Sequence, residues 1–211
     1  MLKSLDGGIS WSLLAVQALN RTAVAAIRVN PANADVVLAA TARGFGNGRF
    51  SELVIGSTPL FGVLRSTDGG ATWTRTLPGQ ATALEIDTRT FNNQYAAISD
   101  VNAGQTNDSP GSRANGIYRS ADGGQAWSVV EGPWTALRPG RLVPALAPSN
   151  PNVLYVSVSG LRGDGARAST VLGLYRTDDA WSATPSWTRI STDATGPQGY
   201  LALIRFGGRL G

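Results

Sequence analysis

The chain repeats one octet, Ser-x-Asp-Gly-Gly-x-x-Trp, three times: SLDGGISW at 4–11, STDGGATW at 66–73 and SADGGQAW at 120–127. A fourth, degraded copy is TDDAWSATPSW at 177–187. It keeps Thr177 for Ser and Asp179 for Asp, loses both glycines, and reaches Trp187 after a short insertion. The Asp residues stand at 6, 68, 122 and 179, in steps of 62, 54 and 57. Self-similarity at a nearly fixed interval is the signature of a repeat architecture, in which one supersecondary unit is stacked on copies of itself.

Each step has the same internal order. A short apolar run comes first (AVAAIRV at 23–29, ATALEID at 81–87, RLVPALA at 141–147), then an Asn- and Pro-rich turn. A second run follows (VVLAAT at 36–41, YAAIS at 95–99, VLYVSVS at 153–159), and then a long polar loop. A third run ends in the octet (GVLRS at 62–66, GIYRS at 116–120, GLYRT at 173–177), and a fourth starts at its Trp (WTRTL, WSVV, WTRI). Runs of this length, rich in Val, Ile, Leu and Thr and bounded by Gly, Pro or Asn, read as strands. No segment sustains the i, i+3, i+4, i+7 pattern of a helix. Four strands per unit, repeated, predict an all-β propeller of four-stranded antiparallel blades.

The octet joins the third and fourth strands. Its Gly pair allows the positive φ of a tight connection. Its Asp and Ser/Thr side chains are suited to bonding nearby backbone N–H groups. Its Trp opens the outer strand and is expected to be mostly buried, covering its own blade. The structural set is Ser4, Asp6, Gly8 and Trp11; Ser66, Asp68, Gly70 and Trp73; Ser120, Asp122, Gly124 and Trp127; and Thr177, Asp179 and Trp187.

These octets resemble the Asp-box, or BNR, repeat of sialidase-type propellers, found also in oligoxyloglucan hydrolases, in sortilin-type receptors and in the photosystem II assembly propeller. The resemblance covers nearly the whole chain, and PSNPNVLYVSVSG at 148–160 is similar to the strand-turn-strand lead-in of such proteins. It implies that the Asp-box is a structural turn on the face away from any active site. The family is often exported, but no signal-peptide pattern precedes the first octet at Ser4.

The expected organisation is a single propeller segment over residues 1–211, with a partial blade at 1–20, blades at 21–80, 81–136 and 137–193, and the start of another at 194–211. Two outcomes fit: a piece of a longer propeller, or a composite blade in which residues 200–211 pair with 1–20 to close a small ring.

Composition narrows the chemistry. There is no His and no Cys, which excludes disulfides, imidazole bases and His-ligated zinc, and there is one Lys, Lys3. No metal or other cofactor is expected. The net charge is +4, but Arg residues are scattered and the densest spot is LRPGR at 137–141, so nucleic acid is not an expected partner. No apolar run reaches the length of a membrane helix.

Ligand chemistry is expected on the face of the long loops at 42–61, 100–115 and 160–172, since function concentrates on loops held by a rigid scaffold. These loops carry Arg43, Arg49, Glu52, Asp100, Asp108, Arg113, Arg162, Asp164 and Arg167, with Phe45 and Phe50 nearby. The binding candidates are Arg49, Arg113 and Arg162, in equivalent loops of successive blades, with Glu52, Asp108 and Asp164. The inter-blade connections add Arg21, Glu131, Trp134, Arg138 and Arg141. Arg grips carboxylates bidentately, and aromatic rings stack on sugar faces. No catalytic residue is assigned: sialidases carry an Arg-Ile-Pro signature that is absent, and the paired-Asp motifs of xyloglucan enzymes are absent too. The functional expectation is a binding or scaffold module for a glycan or partner protein. The alternative is a glycoside hydrolase of sialidase or xyloglucan-hydrolase type, with catalytic residues partly outside this segment.

Overall fold

In a computed structural model of the chain, the described residues are 1–14, 19, 22–43, 60–100, 114–137, 139–160 and 171–191. They form three four-stranded antiparallel sheets and one two-stranded ladder. The ladder pairs β1 (Leu2–Lys3) with β2 (Ser12–Leu13). The first sheet runs β3 (Ala23–Asn30), β4 (Asn33–Ala42), β5 (Gly62–Ser66) and β6 (Thr74–Pro78). The second runs β7 (Ala81–Ile86), β8 (Gln94–Ile98), β9 (Gly116–Ser120) and β10 (Ser128–Val130). The third runs β11 (Pro139–Leu146), β12 (Leu154–Gly160), β13 (Val171–Thr177) and β14 (Thr188–Arg189). Each sheet pairs its strands in chain order, so each is an up-and-down propeller blade. The strands fall on the apolar runs of the sequence, and among the described residues helix is limited to short 3-10 turns such as Thr135–Leu137.

The core lies between blades rather than within one. Leu38, Val63, Leu77, Leu84, Ile98 and Tyr118 bury the junction of the first and second blades. Tyr95, Ile117, Leu142, Val156, Tyr175 and Trp134 bury that of the second and third. A smaller cluster of Leu19, Ala39 and Leu64, with Met1 and Trp73 against it, seats the β1–β2 ladder on the first blade. The consecutive inner strands touch, β3 against β7 and β7 against β11. A strand sandwiched between neighbouring sheets has no solvent face, and β8 accordingly is buried at every residue. Truncating one of these side chains, Leu38→Ala for example, removes about 2–5 kcal/mol.

Candidate functional site

The octets build one latch four times. In the second copy the Ser66 hydroxyl donates to Asp68 Oδ1 at 2.7 Å and accepts the Gly70 N–H at 2.8 Å. Asp68 then accepts the Thr72 N–H at 2.8 Å and the Thr72 hydroxyl at 2.5 Å. In the first copy Ser4, Asp6, Gly8 and Ser10 repeat the set. In the third, Ser120 bonds Asp122 and Gly124, and Asp122 accepts the N–H of Gln125 and Ala126. In the fourth, Thr177 donates to Asp179, which accepts the Ser186 N–H at 2.8 Å across the insertion. The glycines are used for their backbone: Gly69 and Gly70 sit at φ +67° and +94°, and Gly123 and Gly124 at +76° and +81°.

A further bond ties the second, third and fourth latches each to its own blade. The N–H at the fourth box position donates to a carbonyl where the blade's first strand passes to its second: Gly69 to Asp35 O, at the start of β4, at 2.9 Å, Gly123 to Asn92 O at 3.1 Å and Ala180 to Asn152 O at 2.9 Å, the last two in the turns before β8 and β12. Ala180 therefore keeps this bond although the fourth copy has no glycine.

These bonds set the state of the carboxylates. Hydrogen bonds from the Ser10 hydroxyl and N–H, then from Ser4, hold Asp6 well below the usual range. The Thr72 hydroxyl, the Thr72 N–H and Ser66 push Asp68 down to about 2. At Asp122 desolvation works in the opposite direction and is outweighed by the Ala126 N–H and the Ser120 hydroxyl. Thr177 and the Ser186 N–H lower Asp179. A general acid needs a raised pKa. The four box carboxylates are instead ionised acceptors that stabilise their turns.

The box Trp residues reach outward from their own blade. Trp73 and Trp127 are half-buried, not mostly buried, because each lies at an outer strand with one side against the preceding unit and the other in solvent. The Trp127 indole donates to Thr76 Oγ1 of the preceding blade at 3.1 Å, and the Trp187 indole to Glu131 O at 3.1 Å. Trp73 bonds its own Gly70 O at 3.0 Å but packs on the cluster facing the β1–β2 ladder. Trp11 bonds Gly8 O in the same way and is exposed.

At the long-loop end of the blades, side-chain amides splice neighbouring strands. Gln80, just before β7, accepts the Arg43 N–H from the end of β4 at 2.6 Å. Asn115, just before β9, accepts the Asp100 N–H at 2.7 Å and donates to the carbonyls of Asp100 and Pro139, each at 2.8 Å. The buried Ser99 hydroxyl accepts the Leu142 N–H of the next blade at 2.9 Å. Arg43, Asp100 and Arg141 thus stand on a fixed base, with the Arg43 guanidinium 5.9 Å from the Phe61 ring centroid. Trp134 belongs to the core: it is buried edge-on against Trp187 at 4.6 Å and Tyr175 at 5.8 Å, so it offers no ring to a sugar.

The binding candidates Arg49, Glu52, Asp108, Arg113, Arg162 and Asp164 lie outside the described residues, as do Arg21, Phe45, Phe50, Arg138 and Arg167. Among the described residues no group of three or more Asp or Glu could hold a metal ion. No helix among them is long and apolar enough to cross a membrane. The splicing role of Gln80, Ser99 and Asn115 has one faint sequence signal, polar residues flanking apolar strands, and no motif of its own.

A BNR/Asp-box repeat model matches residues 64–75. No curated protein sequence matches the chain. An ancestral GH74 enzyme is similar in structure, with TM-score 0.56 and 21% identity over 84% of this chain and 21% of that one. The GH74 xyloglucanase from Xanthomonas campestris gives TM-score 0.49 and 22% identity over 87% of this chain and 25% of that one. YCF48 from Cyanidioschyzon merolae gives 0.41 and 17%, over 81% and 38%. The chain spans about a fifth of the first structure and a quarter of the second. Its second octet matches the BNR/Asp-box repeat, and its sheets are β-propeller blades similar in fold to part of the ancestral GH74 enzyme.

Proposed function

We propose that the chain is a binding module that takes its ligand, a glycan or a partner protein, on the long-loop face. The carrying observation is the commitment of the opposite face. Each box carboxylate is bonded within its own turn and held below its ordinary range. That face has few side-chain groups left for a ligand. The long-loop end instead carries Arg43 and Asp100 at the roots of the long loops of the first two blades, and Arg141 near the start of β11 in the third. Neighbouring blades converging on one ligand is how a propeller mouth works. Arg49, Arg113 and Arg162 are the residues assigned to grip it.

The test is calorimetric titration with xyloglucan oligosaccharides and with sialosides. The Arg49→Ala/Arg113→Ala/Arg162→Ala variant is expected to bind at least about tenfold more weakly, one charge-assisted contact being worth that much, with an unchanged melting temperature. Asp68→Ala is expected to leave affinity intact. Binding that survives the triple change but fails on altering a folded octet-face turn refutes the reading.

A second reading, glycoside hydrolase activity, is supported by the likeness to an ancestral GH74 enzyme. It requires two carboxyl groups flanking a bond. Release of reducing ends from xyloglucan by the chain, abolished by a Glu52→Gln, Asp108→Asn or Asp164→Asn change, favours it over simple binding.

A further inference from the structure

A hydrogen-bonded relay crosses the three blades at their long-loop end. The Arg43 N–H, at the root of the 42–61 loop, donates to Gln80 Oε1 of the second blade at 2.6 Å. The Gln80 carbonyl accepts the Ser99 N–H, just after β8, at 2.9 Å. The Ser99 hydroxyl accepts the Leu142 N–H of the third blade at 2.9 Å. A second branch runs through Asn115, which accepts the Asp100 N–H at 2.7 Å and donates to Pro139 O at 2.8 Å and Gly140 O at 3.3 Å. Gln80 and Asn115 thus hold each loop root to the blade that follows, the first loop to the second blade and the second loop to the third. Both ties land at a β-bulge. β11 carries an extra residue at Gly140 opposite β12, and β7 carries one at Thr82, two residues from Gln80. Bulges recur beside functional sites, where they re-aim what a strand presents.

Neither residue belongs to the blade pattern. The runs GVLRS, GIYRS and GLYRT begin at Gly62, Gly116 and Gly173, and the residues before them are Phe61, Asn115 and Leu172. The strand register sets Gln80 level with Ala23 of the first blade. What every blade needs recurs in every blade, as the octet does; Gln80 and Asn115 serve one place. The junctions also have supports of their own. Leu38 and Leu84 fill the first, and Tyr95 and Leu142 the second. At the box end Arg65 Nε reaches Gly123 O at 3.0 Å and Arg119 Nη1 reaches Ala180 O at 3.3 Å. The relay adds direction to these contacts: it sets where the roots of two long loops stand relative to each other.

We propose that Gln80 and Asn115 are positioning residues of the long-loop binding site, fixing the spacing of the 42–61 and 100–115 loops before the ligand arrives. This rests on the reading that the long-loop face binds a ligand. Ordering a loop on binding costs affinity through entropy, and a root held in advance removes that cost. A residue that acts in this way touches no ligand. Its loss leaves the enthalpy of the contacts in place and makes the entropy of binding less favourable.

The test is calorimetric titration of the 211-residue chain with xyloglucan oligosaccharides and with sialosides, joined to amide exchange of the free protein. Circular dichroism verifies that every variant is folded. Gln80→Met, which loses the acceptor, and Asn115→Leu are each expected to bind about tenfold more weakly, with the wild-type enthalpy. In the free protein the Arg43 amide is expected to exchange faster in Gln80→Met and the Asp100 amide in Asn115→Leu, while Val63 and Leu64 keep their protection. Gln80→Glu keeps an acceptor for the Arg43 N–H and is expected to restore both slow exchange and affinity. If Asn115→Leu misfolds, Asn115→Ala replaces it. Unchanged affinity in both Gln80→Met and Asn115→Leu overturns the proposal, as does a loss carried by enthalpy, or root amides that exchange at the wild-type rate. Binding that falls with Arg49, Arg113 and Arg162 but not with Gln80 or Asn115 overturns this proposal alone. Wild type that binds neither probe overturns the reading of the face, and this proposal with it.

Discussion

Removing the Tyr95 hydroxyl isolates one junction bond with little disturbance of packing. Tyr95 O–H donates to Ala180 O at 2.6 Å, across from the second blade to the fourth box, on the third blade. The ring of Tyr95 lies 4.8 Å from that of Trp181, and Phe keeps this contact. Ala180 O also accepts Arg119 Nη1 at 3.3 Å, so Tyr95→Phe does not orphan the carbonyl. The expected cost is therefore that of one net hydrogen bond, about 1 kcal/mol, or a fall of about 2–4 °C in melting temperature for a chain of this size. Arg119→Ala alone leaves the tyrosine bond in place. Together the two changes leave the carbonyl of a buried residue with neither partner, and an orphaned carbonyl costs a further ~1–3 kcal/mol. The double variant should thus lose about 1 kcal/mol or more beyond the sum of the singles. Urea unfolding of the four proteins with a common m-value measures this. A neutral Tyr95→Phe, or strict additivity, refutes the idea that the two side chains share the Ala180 carbonyl.

The box carboxylates give an acid signature: their pKa values are depressed in the fold, so the stability they contribute is complete above the ordinary value of 3.8 and is lost as pH falls towards about 2 at Asp68. The urea midpoint should fall over that window, and less steeply in Asp68→Ala, which should be the less stable protein at pH 7. Burial raises the Tyr95 phenol above its ordinary 10.0, the nearby Arg119 opposing, so stability should be lost as pH rises beyond about 10, with no Tyr95 phenolate absorbance before unfolding. Gly7→Ala and Gly124→Ala both place Ala at positive φ, but only at Gly124 does the new Cβ meet Leu38 Cδ2 at 2.8 Å and Gln94 Oε1 at 2.9 Å. Gly124→Ala should cost about 1–3 kcal/mol more than Gly7→Ala in the same unfolding assay.

The strands were legible because each is a short apolar run closed by Gly, Pro or Asn, and no competing helical pattern exists. GIYRS at 116–120 is β9 residue for residue. Local turn chemistry was legible for the same reason: an Asp two residues after a Ser, followed by two glycines, has few partners beyond its own backbone. The junctions were not legible. Lys3, Arg65 and Arg119 stand visibly before their Ser residues, but their acceptors are backbone carbonyls some 60 residues on, and a carbonyl leaves no mark in sequence. The same holds for Trp127, whose indole partner is Thr76 of the preceding blade. The fourth box shows a different limit. The loss of both glycines suggested a decayed latch, yet Ala180 holds the turn carbonyl and Trp181 fills the space beside Tyr95.

The Asp-box as a latch is tested most directly by amide exchange, resolved residue by residue, in wild type and Asp68→Ala. Thr72 is exposed, and the acceptor of its N–H is the Asp68 carboxylate at 2.8 Å. The Thr72 amide should exchange slowly in wild type and fast in the variant, while the amides of Val63 and Leu64 within β5 hold their protection. A Thr72 amide that exchanges in wild type at the rate of an unstructured peptide contradicts the latch.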